Sequence, residues 1–299
     1  MSEETRYRVR CSEEQYNVVM AMKAGWSPNL SELSEYSVDV TRRTPAKVLI
    51  FDIETAPIKA YAWQAWQQDL HPSQIISDWF MLTWSAKWLF DDEVMSDGLT
   101  PEEALVQDDR RVTESIWKLM DEADIVIAHN AVRFDVRKLN TRFILNGMNP
   151  PMPYQVIDTL LHLRNKFAMT HKKLDYACKL LGLEGKMDTG GFALWDGCMR
   201  GDKKSLIKME EYNRKDVLIL EELYLRIRSW IKPHPNMGLF IEEDVDVCPS
   251  CASTNIVFGG TPYRTAASSF DSFRCDDCGS VGRSKKSSHK HSTTRATPK

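Results

Sequence analysis

The sequence lacks the features that would place a protein in a membrane or a secretory pathway. No hydrophobic run approaches the roughly 18 apolar residues of a membrane-spanning helix, the polar N-terminus has no signal-peptide core, and no internal repeat is visible. With 42% hydrophobic and 27% charged residues in 299, the composition is that of a globular chain with one large domain and a small addition. We therefore expect a cytoplasmic protein without membrane contact.

The sequence also lacks the net positive charge of many nucleic-acid-binding proteins, but its charge is unevenly spread. Residues 281–299 hold six Lys and Arg and no acid, while the whole chain carries −3. An acidic body with a basic tail suits an enzyme that collects cations in its active site and contacts phosphates elsewhere. A solvated, disordered tail over 283–299 explains the pattern equally well.

Cysteine is scarce and unevenly placed, with seven residues in total. Four of them form two C-x-x-C pairs, Cys248/Cys251 and Cys275/Cys278, separated by 23 residues. Without a secretory signal this favours metal binding over disulfides, and four thiolates complete a tetrahedral Zn²⁺ shell with no open position. We predict one structural Zn²⁺ in a zinc ribbon over 240–282. The other cysteines, Cys11, Cys178 and Cys198, are predicted to be ordinary buried or half-buried thiols.

The remaining chain divides into an N-terminal helical arm over 1–44 and a large domain over 45–232. The arm contains a capping box at Ser12, which predicts a helix near 13–24, and a second short helix around 31–36. These two helices faintly suggest a helix-turn-helix, although a packing arm is favoured. The pattern changes after Lys232-Pro-His-Pro, where we place the domain boundary.

Apolar runs and helical periodicity predict an α/β fold for the large domain. We expect buried strands near 48–53, 80–89, 93–96, 125–128 and 155–157. We expect helices near 101–123, 135–146, 172–181 and 203–231. This order predicts a mixed five-stranded sheet flanked by helices.

Carboxylates recur at three points of this domain. Asp52 and Glu54 end the first strand and share one face because side chains alternate along a strand. Burying two acids at the end of an apolar strand is unfavourable unless a cation compensates their charge. A strand that simply continues into a polar loop would give the same sequence pattern. Asp135 falls in the first turn of a helix that follows a buried strand. Asn130 is expected to cap this helix, and His129 is expected to be a structural turn residue.

The third point is the last helix of the domain, where Tyr212 and Asp216 are spaced i and i+4 and so share a face. Divalent cations such as Mg²⁺ prefer oxygen ligands, so the three points together predict a cation site. Asp158 also follows an apolar strand and is an alternative acid for the second point. Asp135, after His-Asn and Phe134, fits better, and Asp158 is expected to be a helix cap or supporting residue.

The segments FDIET, HNAVRFD and YNRKDV, starting at Phe51, His129 and Tyr212, resemble the three exonuclease motifs of the DnaQ-like DEDD superfamily in its DEDDy subgroup. The resemblance covers roughly 47–232 and is strongest to short stand-alone exonucleases encoded by bacteriophages, which would place the protein in the host cytoplasm. It implies a ribonuclease H-like fold and a 3′–5′ exonuclease. It implies that Asp52, Glu54, Asp135 and Asp216 bind two Mg²⁺ or Mn²⁺ ions and that Tyr212 positions the attacking water. A related subgroup has His in place of this Tyr, but 203–232 contain no His.

Substrate contacts are predicted with less support from the pattern. Thr55 and Phe134 are expected to border the 3′-terminal nucleotide. Arg164 and Lys173 belong to a basic stretch that either holds the phosphate backbone or is a solvated helical surface. Of five tryptophans, Trp63, Trp66, Trp79, Trp84 and Trp88, most are expected in the core rather than stacked on bases.

The leading hypothesis is therefore a metal-dependent exonuclease that releases nucleoside monophosphates from 3′ ends, preferably of single-stranded DNA. The chain has no room for a polymerase after the nuclease domain, so we expect any proofreading to act in trans. An exoribonuclease with the same carboxylates is the first alternative. A non-catalytic nucleic-acid adaptor that works through its ribbon is the second. The ribbon and basic tail would grip nucleic acid, dock onto a replication protein, or only stabilise the end of the chain.

Overall fold

The computed structural model describes residues 46–66, 69–241 and 245–288. The predicted arm over 1–44, with its two helices and Cys11, lies outside the described residues, as does the basic segment over 289–299. A mixed five-stranded sheet is the centre of the large domain. Its strands are β1 (Val48–Thr55), β4 (Met81–Trp88), β5 (Met95–Gly98), β6 (Ile125–Ala128) and β7 (Gln155–Asp158). The predicted α/β class and mixed sheet are confirmed, with β5 two residues later than expected.

The strand order is β5-β4-β1-β6-β7, so β1 lies in the middle. β4 runs antiparallel to β1, whereas β6 is parallel to β1 and β7 to β6. The carboxyl ends of β1, β6 and β7 therefore meet at one edge of the sheet. Residues that follow these strands are brought together there, which is the reason that distant carboxylates can share one site.

Seven helices of the described residues cover the sheet. They are α1 (Pro101–Val106), α2 (Arg110–Glu122), α3 (Asp135–Leu145), α4 (Thr159–Lys166), α5 (Leu174–Leu180), α6 (Ala193–Met199) and α7 (Lys203–Ile227). A helix at α4 was expected only through the predicted helix cap at Asp158, without bounds, and α6 was not predicted as a helix. The expected last helix is slightly shorter than predicted, because a 3₁₀ turn over Arg228–Trp230 follows α7.

The single long helix expected over 101–123 is wrong. A break separates α1 from α2, where Gln107 takes a left-handed conformation with φ 59°. Asp109 is turned into the core there, with 1% of its surface exposed. It accepts a hydrogen bond from the Met81 amide at 2.8 Å and pairs with Arg142 on α3. A continuous helix would lose these buried polar contacts, so the tertiary structure overrides the helical periodicity.

Side chains of β1 alternate between two buried clusters, one on each face of the sheet. Leu49, Phe51 and Ile53 contribute to one, and Val48 and Ile50 to the other. Residues Val217, Leu220 and Tyr224 of α7 pack in the cluster of Val48 and Ile50. Asp52 and Glu54 continue this second face, so strand alternation directs both acids toward α7.

A short antiparallel pair, β2 (Lys59–Ala60) with β3 (Ile75–Ser77), was not predicted. It continues beyond the ends of β1 and β4 as a hairpin, and the Ala56 amide donates to the Phe80 carbonyl at its base. Trp84 is buried in the core and Trp88 packs against it, as expected. Trp63 and Trp66 lie in the hairpin and are largely exposed, so they are exceptions to the expectation that most of the five tryptophans lie in the core.

The C-terminal part forms a three-stranded sheet of β8 (Ile256–Phe258), β11 (Ser272–Cys275) and β12 (Val281–Arg283), plus a pair of β9 (Tyr263–Arg264) and β10 (Ser269–Phe270). Hydrogen-bonded structure continues past the predicted ribbon end at 282, because the Ser284 and Ser288 amides donate to Asp271 and Ser269. The Met237 amide donates to the Pro249 carbonyl at 2.8 Å, and Ala252 packs against the cluster that contains α7. The ribbon therefore rests against the C-terminal end of α7.

Candidate active site

Three carboxylates from two elements converge at the carboxyl edge of the sheet. Asp52, Glu54 and Asp216 each offer a ligand oxygen, and these oxygens all lie within 4.8 Å of one another. The acids of β1 are partly buried, and Asp216 is fully buried on α7. Asn213, one turn before Asp216, donates its amide to Asp52 Oδ2 at 2.6 Å. Strand alternation and the i, i+3 spacing on the helix together produce this convergence.

Asp135 lies beside this group, but outside the set that meets within 4.8 Å. It is the first residue of α3 and only 1% exposed. Neither of its oxygens has a hydrogen-bond partner of normal geometry, and the same is true of Asp216 Oδ1. Buried carboxylate oxygens without partners are strongly disfavoured, so these atoms are candidates for contact with a cation.

Tyr212 and a lysine complete the centre. The Lys186 ammonium forms an ion pair with Asp216 Oδ2 and donates to the Tyr212 hydroxyl at 2.8 Å. The loop after α5 brings it there, since the Lys186 amide donates to Asp175 Oδ1 at 2.8 Å. A Cβ on Gly185 would lie 2.8 Å from the same oxygen, so a larger residue at that position would displace the Asp175 side chain.

The electrostatics of the centre are those of acids gathered without enough positive charge. Burial, followed by the charge of Asp216, raises the pKa of Asp52 to about 7. Burial and the charge of Asp52 raise the pKa of Glu54 to about 8. The pKa of Asp135 is raised well above its usual range for the same two reasons. Burial also raises the pKa of Asp216, although Lys186 opposes this.

Lys186 and Tyr212 keep their protons at neutral pH. Burial alone would lower the pKa of Lys186, but the charges of Asp216 and Asp52 outweigh it and raise that pKa above its usual value. Burial and Asp216 raise the pKa of Tyr212. The tyrosine hydroxyl is therefore a hydrogen-bonding group rather than a base.

The donor set fits divalent cations that prefer oxygen. Four carboxylates face two ammonium groups, those of Lys186 and Lys138, and the oxygens without partners belong to Asp135 and Asp216. Positive charge placed among these oxygens would remove the repulsion that raises their pKa values. The residues present therefore suit Mg²⁺ or Mn²⁺ on chemical grounds.

The turn between β6 and α3 is held by Asp158 rather than by Asn130. Asp158 caps α4 through the Leu161 amide and also accepts the Asn130 and Val132 amides, each at 3.1 Å. This agrees with its expected role as a cap and supporting residue. The expected cap by Asn130 is wrong, since Phe134 occupies the N-cap of α3 without a side-chain bond, and Asn130 has φ 82°.

His129 is a structural turn residue, as expected. Burial lowers its pKa to about 4, so the ring is neutral. Its Nε2–H donates to the Lys172 carbonyl at 2.9 Å, which leaves Nδ1 to accept from the Thr159 hydroxyl at 2.9 Å. Both ring nitrogens are occupied, and no metal-ligating atom remains.

Thr55 and Phe134 lie together beside the carboxylates, joined by a lysine that the sequence patterns did not single out. Lys138 donates to the Thr55 hydroxyl at 2.7 Å. Its ammonium also lies 4.8 Å from the centre of the Phe134 ring and 4.1 Å from that of Trp79. This cluster combines an aromatic surface with a positive charge next to the acids.

A cavity of about 580 Å³ adjoins the centre on the side of Lys186. Its lining includes Arg164 and Lys173, which were predicted to contact substrate, and also His171, Lys172 and Lys186. Asp175 is the only acid of this lining. The predicted basic stretch therefore lies next to the carboxylates in space, where a phosphate chain would be attracted.

Several residues of the centre were not predicted from the sequence. Asn213 lies within the YNRKDV segment, so its position next to Tyr212 was an available signal. Trp195 of α6, whose side chain hydrogen-bonds Glu54, had no signal of its own. Lys186 and Lys138 had none either, because only the tertiary structure brings a loop lysine and an ordinary helical lysine to the acids.

The four cysteines of the two C-x-x-C pairs also meet. The sulfurs of Cys248 and Cys278 are 3.6 Å apart, as are those of Cys251 and Cys275. Zn–S bonds of about 2.3 Å in a tetrahedron put sulfurs roughly 3.8 Å apart, whereas a disulfide needs about 2.05 Å. The cluster is thus consistent with a zinc ribbon. Cys178 and Cys198 are buried thiols, as predicted.

The two turns that carry these cysteines have matching backbones. The Ala252 amide donates to the Cys248 carbonyl at 2.8 Å, and the Gly279 amide donates to the Cys275 carbonyl at 2.9 Å. Both residues are left-handed, with φ 60° at Ala252 and 75° at Gly279. Alanine therefore occupies a conformation that glycine adopts more easily, and it provides a methyl group that packs against the α7 cluster.

Comparison with known proteins gives two findings. The model of the RNase_H superfamily family RNase_H_2 matches residues 95–228, which include Asp135, Tyr212 and Asp216. Among solved structures, the chain is similar to the family B DNA polymerase from the hyperthermophilic archaeon Pyrobaculum calidifontis, at 16% identity and a TM-score of 0.46. That similarity covers 67% of this chain and 27% of the polymerase, so this chain spans about a quarter of the polymerase's length.

No curated protein matches this chain. In the described ranges, no helix is long and apolar enough to cross a membrane. The family match, together with the mixed five-stranded sheet and its flanking helices, shows that the chain has a ribonuclease H-like α/β fold, followed by a cluster of four cysteines.

Proposed function

We propose that this protein is a metal-dependent 3′–5′ exonuclease that hydrolyses single-stranded DNA by a two-metal-ion mechanism and releases nucleoside monophosphates. The observation that carries the proposal is the meeting of Asp52, Glu54 and Asp216 within 4.8 Å, beside the buried Asp135. The ribonuclease H-like fold supports a nuclease. The resemblance of the three motifs supports degradation in the 3′–5′ direction and the DEDDy class of exonuclease.

The four carboxylates would hold two Mg²⁺ or Mn²⁺ ions. When bound, such ions supply Lewis acidity that stabilises charge on a phosphodiester and acidifies water. Asn213 orients Asp52 through the 2.6 Å hydrogen bond, and the indole of Trp195 orients Glu54. These contacts fix the carboxylate rotamers before substrate arrives, which keeps the ligand set preorganised.

Tyr212 would orient the attacking water. Its hydroxyl stays protonated at neutral pH, because burial and Asp216 raise its pKa. It can donate a hydrogen bond to a water oxygen while it accepts one from Lys186. Lys186 thus holds the tyrosine in place and is not itself a base, since its pKa is raised.

The 3′ end would lie against Thr55, Phe134 and Lys138, next to the acids. The preceding phosphates would enter the basic cavity lined by Arg164 and Lys173. A flat aromatic ring beside an ammonium suits a terminal base and its phosphate.

The test is degradation of a 5′-labelled single-stranded DNA oligomer with Mg²⁺ or Mn²⁺. The wild type should produce a ladder that shortens from the 3′ end. Asp216→Ala should abolish it, and Tyr212→Phe should slow turnover about 100-fold without loss of metal binding. Glu122→Ala, which removes an exposed acid paired with Lys47, is the matched control and should leave the rate unchanged.

An RNA oligomer of the same sequence separates the deoxyribonuclease from the exoribonuclease with the same site. Faster loss of RNA would move the substrate assignment to RNA. Intact DNA and RNA together with tight binding of either would contradict the enzymatic proposal and favour the adaptor. A chelator is a poor control by itself, since it would also remove zinc from the four cysteines.

A further inference from the structure

The hairpin of β2 and β3 exposes aromatic side chains to an unusual degree. Trp63 is 94% exposed, Trp66 is 80% exposed and Tyr61 is 74% exposed. Tryptophan is highly buried on average and dominates the energetics of the interfaces that it joins. A cluster of such side chains on one surface hairpin marks a binding surface.

Hydrogen bonds hold the described residues of the hairpin near its base. The Tyr61 amide donates to the Gln74 carbonyl at 2.9 Å, and the Gln74 side chain donates back to the Tyr61 carbonyl at 2.9 Å. At its base, the Ser77 hydroxyl donates to the Gln107 side chain at 2.6 Å. The Tyr61 backbone is thus paired and fastened to the domain, and Trp63 and Trp66 follow it on the segment that connects β2 to β3.

The position of the hairpin links it to the carboxylates. It leaves β1 directly after Thr55 and returns to β4 past Trp79, whose ring lies 4.1 Å from the Lys138 ammonium. Trp63 is nine residues after Glu54, so about 3.3 Å per residue places it within roughly 30 Å of the acids. A strand of about nine nucleotides at 3.4 Å each covers that span.

The hairpin carries little charge, and it exposes the aromatic rings together with aliphatic side chains such as Ile58 and Ile76. Between residues 57 and 77 the sequence contains one acid, Asp69, and one lysine, Lys59. A surface almost without acids does not repel phosphates. Flat indole and phenol rings offer stacking faces to any base, so they bind without regard to sequence.

We propose that the β2–β3 hairpin is a second binding site for single-stranded nucleic acid, where bases several nucleotides before the 3′ end stack on Trp63 and Trp66. The inference rests on the proposed function, because it takes the 3′ end to lie at the carboxylates. The hairpin then holds the strand while its end is shortened, and it acts only on substrates long enough to reach it.

The test compares Trp63→Ala/Trp66→Ala with the wild type on a 15-nucleotide single strand and on a dinucleotide. Binding of the labelled 15-mer is measured by fluorescence anisotropy in an Asp216→Ala background, and hydrolysis is measured with Asp216 intact. We expect binding of the 15-mer to weaken ~10-fold or more, with dinucleotide hydrolysis unchanged. Trp63→Phe/Trp66→Phe should restore most of the binding, since the rings remain.

Trp230→Ala is the matched control, because Trp230 is 59% exposed and follows α7, away from the hairpin. It should bind the 15-mer like the wild type. Unchanged 15-mer binding by the double alanine variant would overturn the hairpin proposal and leave the exonuclease standing. Equal losses of hydrolysis on the 15-mer and the dinucleotide would overturn it too, since the substitutions would then act by disturbing β1, which carries Asp52 and Glu54.

Two further outcomes are decisive. If the double alanine variant changes only the sedimentation of the protein, the hairpin contacts another protein chain and the proposal fails. If the wild type hydrolyses neither substrate, the proposed function fails, while the anisotropy measurement still decides whether the hairpin binds nucleic acid.

Discussion

The repulsion among the carboxylates predicts that neutralising Asp52 stabilises the protein when Mg²⁺ and Mn²⁺ are absent. The unfolded Asp52 loses its proton near pH 4, whereas the folded one keeps it until about pH 7. Between these values the folded state binds more protons, so the free energy of unfolding falls as pH rises. Asp52→Asn removes this loss, because the amide has no charge and its oxygen can still accept from Asn213.

The magnitude follows from the shift in pKa. Three pKa units at 1.36 kcal/mol each correspond to roughly 4 kcal/mol when the carboxylate is fully ionised. Part of this penalty is present at about pH 5.5, and the rest develops by about pH 8. The stability advantage of Asp52→Asn over wild type should therefore grow by about 2 kcal/mol between these two pH values.

The assay is urea unfolding at both pH values, in buffer without Mg²⁺, Mn²⁺ or chelator, so that zinc is retained. Asp196→Asn, which neutralises an exposed acid paired with Arg200, is the control and should follow the wild type. Added Mn²⁺ should stabilise the wild type at about pH 8 and have little effect on Asp52→Asn. A variant no more stable than the wild type at about pH 8, or an advantage that shrinks as pH rises, would refute this account of the acids.

Two other substitutions test neighbouring parts of the molecule. Lys186→Met removes the partner of the buried Asp216, so without Mg²⁺ or Mn²⁺ the free energy of unfolding in urea should fall by about 3 kcal/mol. Added Mn²⁺ should restore much of this stability. A loss that Mn²⁺ does not reduce would argue against a shared cation site. Cys278→Ser should abolish the binding of one Zn²⁺ per chain, measured by elemental analysis, and lower the melting temperature. Zinc content equal to the wild type would contradict the four-thiolate site.

Much of the candidate site could be predicted because its signals are local. Alternation along β1 places Asp52 and Glu54 on one face whatever surrounds them, and helical spacing does the same for Tyr212 and Asp216. The C-x-x-C pairs carry their spacing in the chain itself. The apolar runs of β1, β4 and β6 likewise predicted buried strands, because strands covered on both faces need little besides apolar side chains.

Elements whose form depends on distant partners were predicted less well. Periodicity favoured one helix over 101–123, but the buried contacts of Asp109 with Met81 and Arg142 interrupt it. Aromatic composition favoured the core for most of the five tryptophans and gave no sign that Trp63 and Trp66 lie exposed on a hairpin. In each case the deciding contact lies far away in the sequence or is absent, so no local pattern could report it.

The sequence by itself determined which acids, which tyrosine and which cysteines are the candidate site residues, since these follow from residue type and short spacing. Only the tertiary structure decided that Lys186 pairs with Asp216, that Asn213 orients Asp52, and that the basic residues line a cavity beside them. The physical reason is that charge and burial act through space. A pKa raised by neighbouring acids, or an ammonium group that offsets them, exists only after the sheet and α7 have brought these groups together.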